Sequence, residues 1–149
     1  GYLRLVPEMV VNEYRGRIVN VHPALLPAFG GAGMYGLRVH AAVIASGARV
    51  SGVTVHFVDE RYDRGAIIAQ WPVPVLSGDT PQRLAARVLR VEHALYPPAV
   101  AAVAQSRIAL DASGRATHMH LPHLDDATFV LDSLDDVALR KAIGIALSA

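Results

Sequence analysis

A short β-branched run, Ile18 to Val21, ends on His22 and is broken at once by Pro23 and again by Pro27. Valine and isoleucine favour a pleated, buried surface, whereas proline lacks the N–H that a ladder or helix would use. The stretch therefore predicts a buried strand that stops at its histidine and spills into irregular chain. Asn20 and His22 stand two residues apart, and i and i+2 of a strand project to the same face. An amide and an imidazole side by side at a strand end, facing a loop, is how α/β proteins commonly present chemistry.

The flanking pattern fits such a class. Tyr2 to Val6 reads as a strand or strand end, Pro7 to Glu13 as a short helix or turn, and His22 to Gly36 as a Gly/Pro-rich loop. Leu37 to Ser46 has helical spacing with Gly47 placed to end it. Gly52 to Asp59 and Ala66 to Val75 are β-rich and joined by a Gly-assisted turn, which predicts a hairpin. Thr80 followed by Pro81 is an N-cap with proline at the first helical position. The helix it opens carries Leu84, Val88, Val91 and Leu95 on one face and is expected to end near Pro97-Pro98. A second apolar helical segment is expected to run on through Gln105. Arg107 to Leu110 is a candidate last strand, and Leu134 to Leu147 regains helical spacing.

Composition excludes several classes. With 52% hydrophobic and 18% charged residues the chain is core-rich rather than disordered. A formal net charge of +1 gives no electrostatic reason for a nucleic-acid or anionic-membrane partner. No apolar run is long enough to read as a transmembrane helix. The absence of cysteine removes disulfides, thiolate catalysis and Cys-ligated zinc. A cytoplasmic location is the default expectation. The chain opens on Gly1-Tyr-Leu-Arg-Leu-Val6 with an apolar run already under way, so the N-terminal part of a larger domain is expected to lie outside it.

Asn20, His22 and Asp63 form the sharpest constellation. An amide N–H can bond an oxyanion as it develops, an imidazole can carry charge or move a proton, and a carboxylate beside it raises its pKa and fixes its orientation. Taken singly, His22 is as well explained by capping a loop and Asp63 by forming a turn next to Gly65.

Three words in order change that balance. Asn-Val-His-Pro-Ala-Leu-Leu-Pro from Asn20, Val-Thr-Val-His-Phe-Val-Asp-Glu-Arg-Tyr-Asp-Arg-Gly from Val53, and Glu92-His-Ala-Leu-Tyr-Pro97 resemble the phosphoribosylglycinamide formyltransferases over about Gly1 to Leu110. The resemblance implies an α/β, Rossmann-like fold with a mostly parallel sheet flanked by helices and the hairpin at its edge. It implies transfer of a formyl group from 10-formyltetrahydrofolate, a cosubstrate, to the amine of glycinamide ribonucleotide, with no metal. Asn20 falls on the residue that holds the formyl oxygen, and His22 on an acid or electrostatic partner. Asp63 falls on the carboxylate that keeps that histidine protonated and orders a water. Leu3, Arg4, Leu5 and Val6, together with Asp59, Glu60, Arg61, Tyr62 and Asp63, fall on the segments that clasp the pterin, and Glu92 on a ribonucleotide contact. Residues 1–112 are thus the expected catalytic region and 113–149 an extension that the resemblance does not reach.

Methionyl-tRNA formyltransferases and formyltetrahydrofolate deformylases share the Asn-x-His and Asp-x-Gly elements, but Pro-Ala-Leu-Leu-Pro after His22 looks like the ribonucleotide enzymes. The family's N-terminal half carries a Gly-rich phosphate-binding turn that does not open this chain. A folate-binding remnant without turnover therefore stays open, as does self-association into a homo-oligomer through an unpaired sheet edge.

The remaining motifs read more simply. Gly31-Ala-Gly-Met-Tyr-Gly36 fits a dinucleotide fingerprint in letters only, because it does not follow directly on a strand; a flexible loop beside the site is expected. His118-Met-His120 with His123 suggests surface tail before metal ligands. His56 is read as a core or supporting histidine, and His40 is read either way. Arg83, Arg87 and Arg90 are read as a solvated helix face.

Overall fold

The computed structural model describes residues 4–117 and, beyond them, Val137, Arg140 and Lys141, which are helical and exposed. The elements run α1 (Glu8–Glu13), β1 (Val19–His22), α2 (Leu37–Ala45), β2 (Val50–Phe57), β3 (Ile67–Pro74) and α3 (Pro81–Ala104). The strands form one sheet in the order β1-β2-β3. Leu3, the His118–His123 histidines and the Leu134–Leu147 segment as a whole lie outside the described residues.

β2 is the central strand, and its alternation sorts two kinds of surface. Val53, Val55 and Phe57 are buried in the apolar core with Leu84, Val88 and Leu95 of α3. Thr54 and His56, of the opposite parity, are also buried, but they are polar and need partners. They find them on the side covered by the loop after β1. Thr54 Oγ1 donates to the Ala24 carbonyl at 2.7 Å and accepts from the Leu26 N–H at 3.0 Å. Gln70 of β3 donates to both Thr54 Oγ1 and the Leu26 carbonyl, each at 2.9 Å. Three of these hydrogen bonds pin the Ala24–Leu26 segment onto the sheet, directly after the histidine that the loop must hold in place, and the fourth ties Gln70 to Thr54 across the strands.

Both strand pairs are antiparallel. The expected mostly parallel sheet therefore has no parallel pair among the described residues. Residues 58–66 join β2 to β3 as a hairpin loop, and the β1-to-β2 connection leaves and re-enters at the same end of the strand pair, so neither makes the crossover that a parallel pair needs. The hairpin itself is as expected. Its register shifts between Val55 and His56, where Ile68 is left between the Val55–Ala69 and His56–Ile67 pairs. Such bulges re-aim side chains at functional edges.

Three local expectations fail. Arg4 to Val6 is irregular, not a strand. The helix does not end at Pro97-Pro98 but continues through both as one 24-residue element. Each proline leaves a carbonyl one turn back without its helical donor. The apolar face nevertheless stays in register, with Ala94 and Leu95 buried before the pair and Ala99 and Ala102 after it. Packing on that face outweighs the local rule. The cap works as read: Thr80 Oγ1 accepts from the Arg83 N–H at 3.2 Å. In place of a strand after Arg107 there is one antiparallel bridge, Leu110 to Ala116. It spans the expected 112/113 boundary and brings Ala116 into the core.

Candidate functional site

β1 and β2 pair so that Asn20 faces His56 and His22 faces Thr54. Cross-strand partners share a face, so the predicted Asn20–His22 pair meets a second polar pair that the antiparallel register supplies. Val19 and Val21, of opposite parity, pack against the core, and the Tyr96 hydroxyl of α3 ties the Val19 carbonyl at 3.2 Å. The turn after β2 then carries Asp63 back over this face. Asp63 sits between the two histidines, with Oδ2 at 3.5 Å from His22 Nδ1 and Oδ1 at 3.7 Å from His56 Nε2. Its Oδ2 also accepts the Gly31 N–H at 2.9 Å, which holds the glycine loop against the site.

Asp63 adopts φ of 54°, a left-handed conformation that Asp and Asn accept far more readily than other side chains. The turn-forming reading of this residue therefore holds, and the same turn sets its carboxylate between His22 and His56. His22 is 3% exposed, and its Nε2 donates to the Phe29 carbonyl at 2.9 Å. Since a carbonyl only accepts, that nitrogen carries a proton, and Nδ1 is the one facing Asp63.

Burial pushes the His22 pKa down. The Asp63 charge and the Phe29 carbonyl pull it back, and the result lies below the ordinary histidine value. Desolvation of the charged ring is thus the larger effect, and the Asp63 charge is the chief influence opposing it. For Asp63, burial alone would raise the pKa. The approach of His56, the Gly31 N–H and the charges of both histidines together outweigh it and hold the carboxyl low. Burial likewise lowers His40 on α2, with His22 adding to it.

These directions give one sign. A histidine with a lowered folded pKa contributes stability that is complete above about 6.5 and is lost as pH falls through the folded value. Asp63 acts the same way in a lower window, complete above about 3.9. The urea midpoint is expected to fall between pH 7 and pH 5, with a shallower fall in a His22→Gln variant. Equal slopes in the two proteins would show that the ring titrates alike folded and unfolded.

The site opens on a cleft of about 530 Å³ whose walls include Asn20, His22, His56 and Asp63. Arg4, Leu5 and Val6 line it, as do Asp59, Arg61 and Tyr62, so most of the expected pterin-clasping residues meet there. Glu60 does not. It lies in a separate cleft of about 840 Å³, 4.0 Å from Arg15, because the turn swings its side chain to the other side. Glu92 of α3 is half-buried, its carboxyl pushed up by burial, and does not line the 530 Å³ cleft. Gly31, Gly33 and Gly36, all at positive φ, form its far wall as the expected loop. Arg87 is held by Asp79 through two contacts at 2.8 and 3.0 Å, which makes it a structural member of the arginine stripe. Among the described residues, no helix is long and apolar enough to cross a membrane, and no group of three or more His, Cys, Asp or Glu could hold a metal ion.

The reading of the residues alone took His56 as a core or supporting histidine without placing it beside Asn20, and it overlooked the Phe29 carbonyl and the Gly31 N–H. A signal for His56 was available: Thr54-x-His56 repeats the two-residue spacing of Asn20-x-His22 on a neighbouring strand. The two backbone groups leave no trace in residue identity.

A family model described as formyl transferase matches residues 1–100. The chain is 58% identical over 108 residues to the chloroplastic phosphoribosylglycinamide formyltransferase of Vigna unguiculata, a match over 72% of this chain and 35% of that protein. It is 56% identical over 108 residues to the protein of the same name from Arabidopsis thaliana, over 72% and 37%. The crystal structure of phosphoribosylglycinamide formyltransferase from Anaplasma phagocytophilum matches with a TM-score of 0.72 at 36% identity, over 83% of this chain and 58% of that one. The chain thus spans about a third of the length of these plant relatives. The names of both overturn the cytoplasmic expectation, since each is called chloroplastic. The expected Rossmann-like α/β class is borne out by the structural match. With the family model covering two-thirds of its residues and the motifs gathered at one cleft, the chain belongs to the formyl transferase family.

Proposed function

We propose that the protein built on these residues transfers a formyl group from 10-formyltetrahydrofolate to the amine of glycinamide ribonucleotide. The observation that carries this reading is the convergence of Asn20, His22 and Asp63 on one cleft from two strands and a turn. A neutral amine attacks the formyl carbon, a C–N bond forms, and negative charge grows on the formyl oxygen. Asn20, exposed at the cleft, offers an amide N–H to that oxygen. Both ring nitrogens of His22 already face acceptors, so His22 acts through charge. The growing oxyanion raises its proton affinity against the effect of burial. Asp63 holds the ring and orders a water that carries the amine proton away as the bond to the folate nitrogen breaks. Arg4, Leu5, Val6, Asp59, Arg61 and Tyr62 surround the pterin, and Glu92 is the ribonucleotide contact.

The test is formyl transfer from 10-formyltetrahydrofolate to glycinamide ribonucleotide, wild type against Asn20→Ala. Loss of one oxyanion donor is expected to lower kcat by about 10²- to 10³-fold. Release of formate to water without use of the amine would replace this reading with a deformylase. Folate binding by this chain with no turnover would confine the formyl-donor half to these residues.

A further inference from the structure

His56 is 2% exposed and stands directly across the strand pair from Asn20. Its Nδ1 lies 2.7 Å from the Phe57 carbonyl oxygen. That oxygen only accepts, so Nδ1 carries the proton, and in the neutral ring Nε2 is left with a lone pair. The atom 3.2 Å from Nε2 is the amide nitrogen of Asn20, which only donates. Asp63 Oδ1 is farther away, at 3.7 Å, beyond hydrogen-bond range. A directed chain results: Asn20 Nδ2–H to His56 Nε2, then His56 Nδ1–H to the Phe57 carbonyl.

An asparagine amide turned by 180° fills the same space with its nitrogen and oxygen exchanged. Only the partner's protonation pattern distinguishes the two orientations. Resting on the reading of Asn20 as the donor to the formyl oxygen, we infer that His56 is a positioning residue whose Nδ1–H tautomer fixes the rotation of the Asn20 amide. The fixed amide spends one N–H on His56 and keeps the second as a donor at the cleft. The turned amide would set its oxygen against the Nε2 lone pair. A donor oriented before substrate arrives needs no reorganisation as charge develops. The Phe57 carbonyl, at the end of β2, thereby sets the orientation of a side chain on another strand.

Two measurements test this. Nitrogen-15 NMR of the chain without substrate is expected to find neutral His56 protonated at Nδ1, with a scalar coupling between Asn20 Nδ2 and His56 Nε2 across the hydrogen bond. A proton on Nε2, or no coupling, overturns the inference whatever the enzyme does. In kinetics, His56→Gln places an acceptor where Nε2 was and should keep kcat within about threefold. His56→Asn reaches only the Nδ1 position and should lose about tenfold or more in kcat, with the KM for the formyl donor nearly unchanged. Equal rates in the two variants overturn it. Absence of transfer in the wild type would defeat the functional reading alone, because the NMR result stands apart from turnover.

Discussion

Replacing Asp63 with Asn is expected to lower formyl transfer by roughly 10²- to 10⁴-fold, with binding of the formyl donor affected far less. The substitution keeps the shape of the side chain, and its carbonyl oxygen can still accept the Gly31 N–H that Asp63 holds at 2.9 Å. It removes the one negative charge set between His22 and His56. Burial already presses the His22 ring toward its neutral form, and Asp63 is the chief opposing influence. Without that charge, the ring stays neutral when negative charge develops beside it, and the water that removes the amine proton loses its base. Steady-state kcat and KM for both substrates, measured on the protein with and without the change, check this. A variant with kcat within about threefold of wild type would remove Asp63 from the chemistry.

The second large effect is structural. A Cβ at Gly65 would run into the carbonyl of Phe57, with the Phe57 carbonyl carbon at 2.8 Å and the Asp59 nitrogen at 3.3 Å. These are backbone atoms of the same turn and cannot swing aside as a side-chain end could. Gly65→Ala is expected to cost about 3 kcal/mol, read as a lowered denaturant midpoint at unchanged m-value. The displaced carbonyl is the one that His56 Nδ1 donates to, so activity should fall beyond what instability explains. An unchanged midpoint would mean that the turn opens at no cost.

Much of this was legible in the residues. Two-residue alternation placed Asn20 and His22 on one face, and the hairpin and the Thr80 cap followed from equally local rules. Reading stopped where a distant contact decides. Pro97 and Pro98 look like a helix end until the apolar face that continues beneath them is known. Glu60 and Tyr62 fall in one motif, yet the turn sends Glu60 to one cleft and Tyr62 to the other. The lowered pKa of His22 follows from burial, which charge pairing in the sequence does not reveal. His56 needed the β1–β2 register, a fact about two strands at once.

The backbone at Asp63, with its φ of 54°, also narrows what substitution can do over evolutionary time. Most side chains are strained in that conformation; glycine, asparagine and aspartate are the readily tolerated choices. Of these, only aspartate carries charge. On the proposed mechanism, backbone and reaction thus select one residue by independent criteria, and only the two together single out aspartate. A lineage that abandoned the chemistry would be expected to drift here first to asparagine or glycine, keeping the turn after losing the reaction. An asparagine or glycine at this position in an otherwise intact relative would therefore mark a protein that still folds but no longer transfers formyl groups.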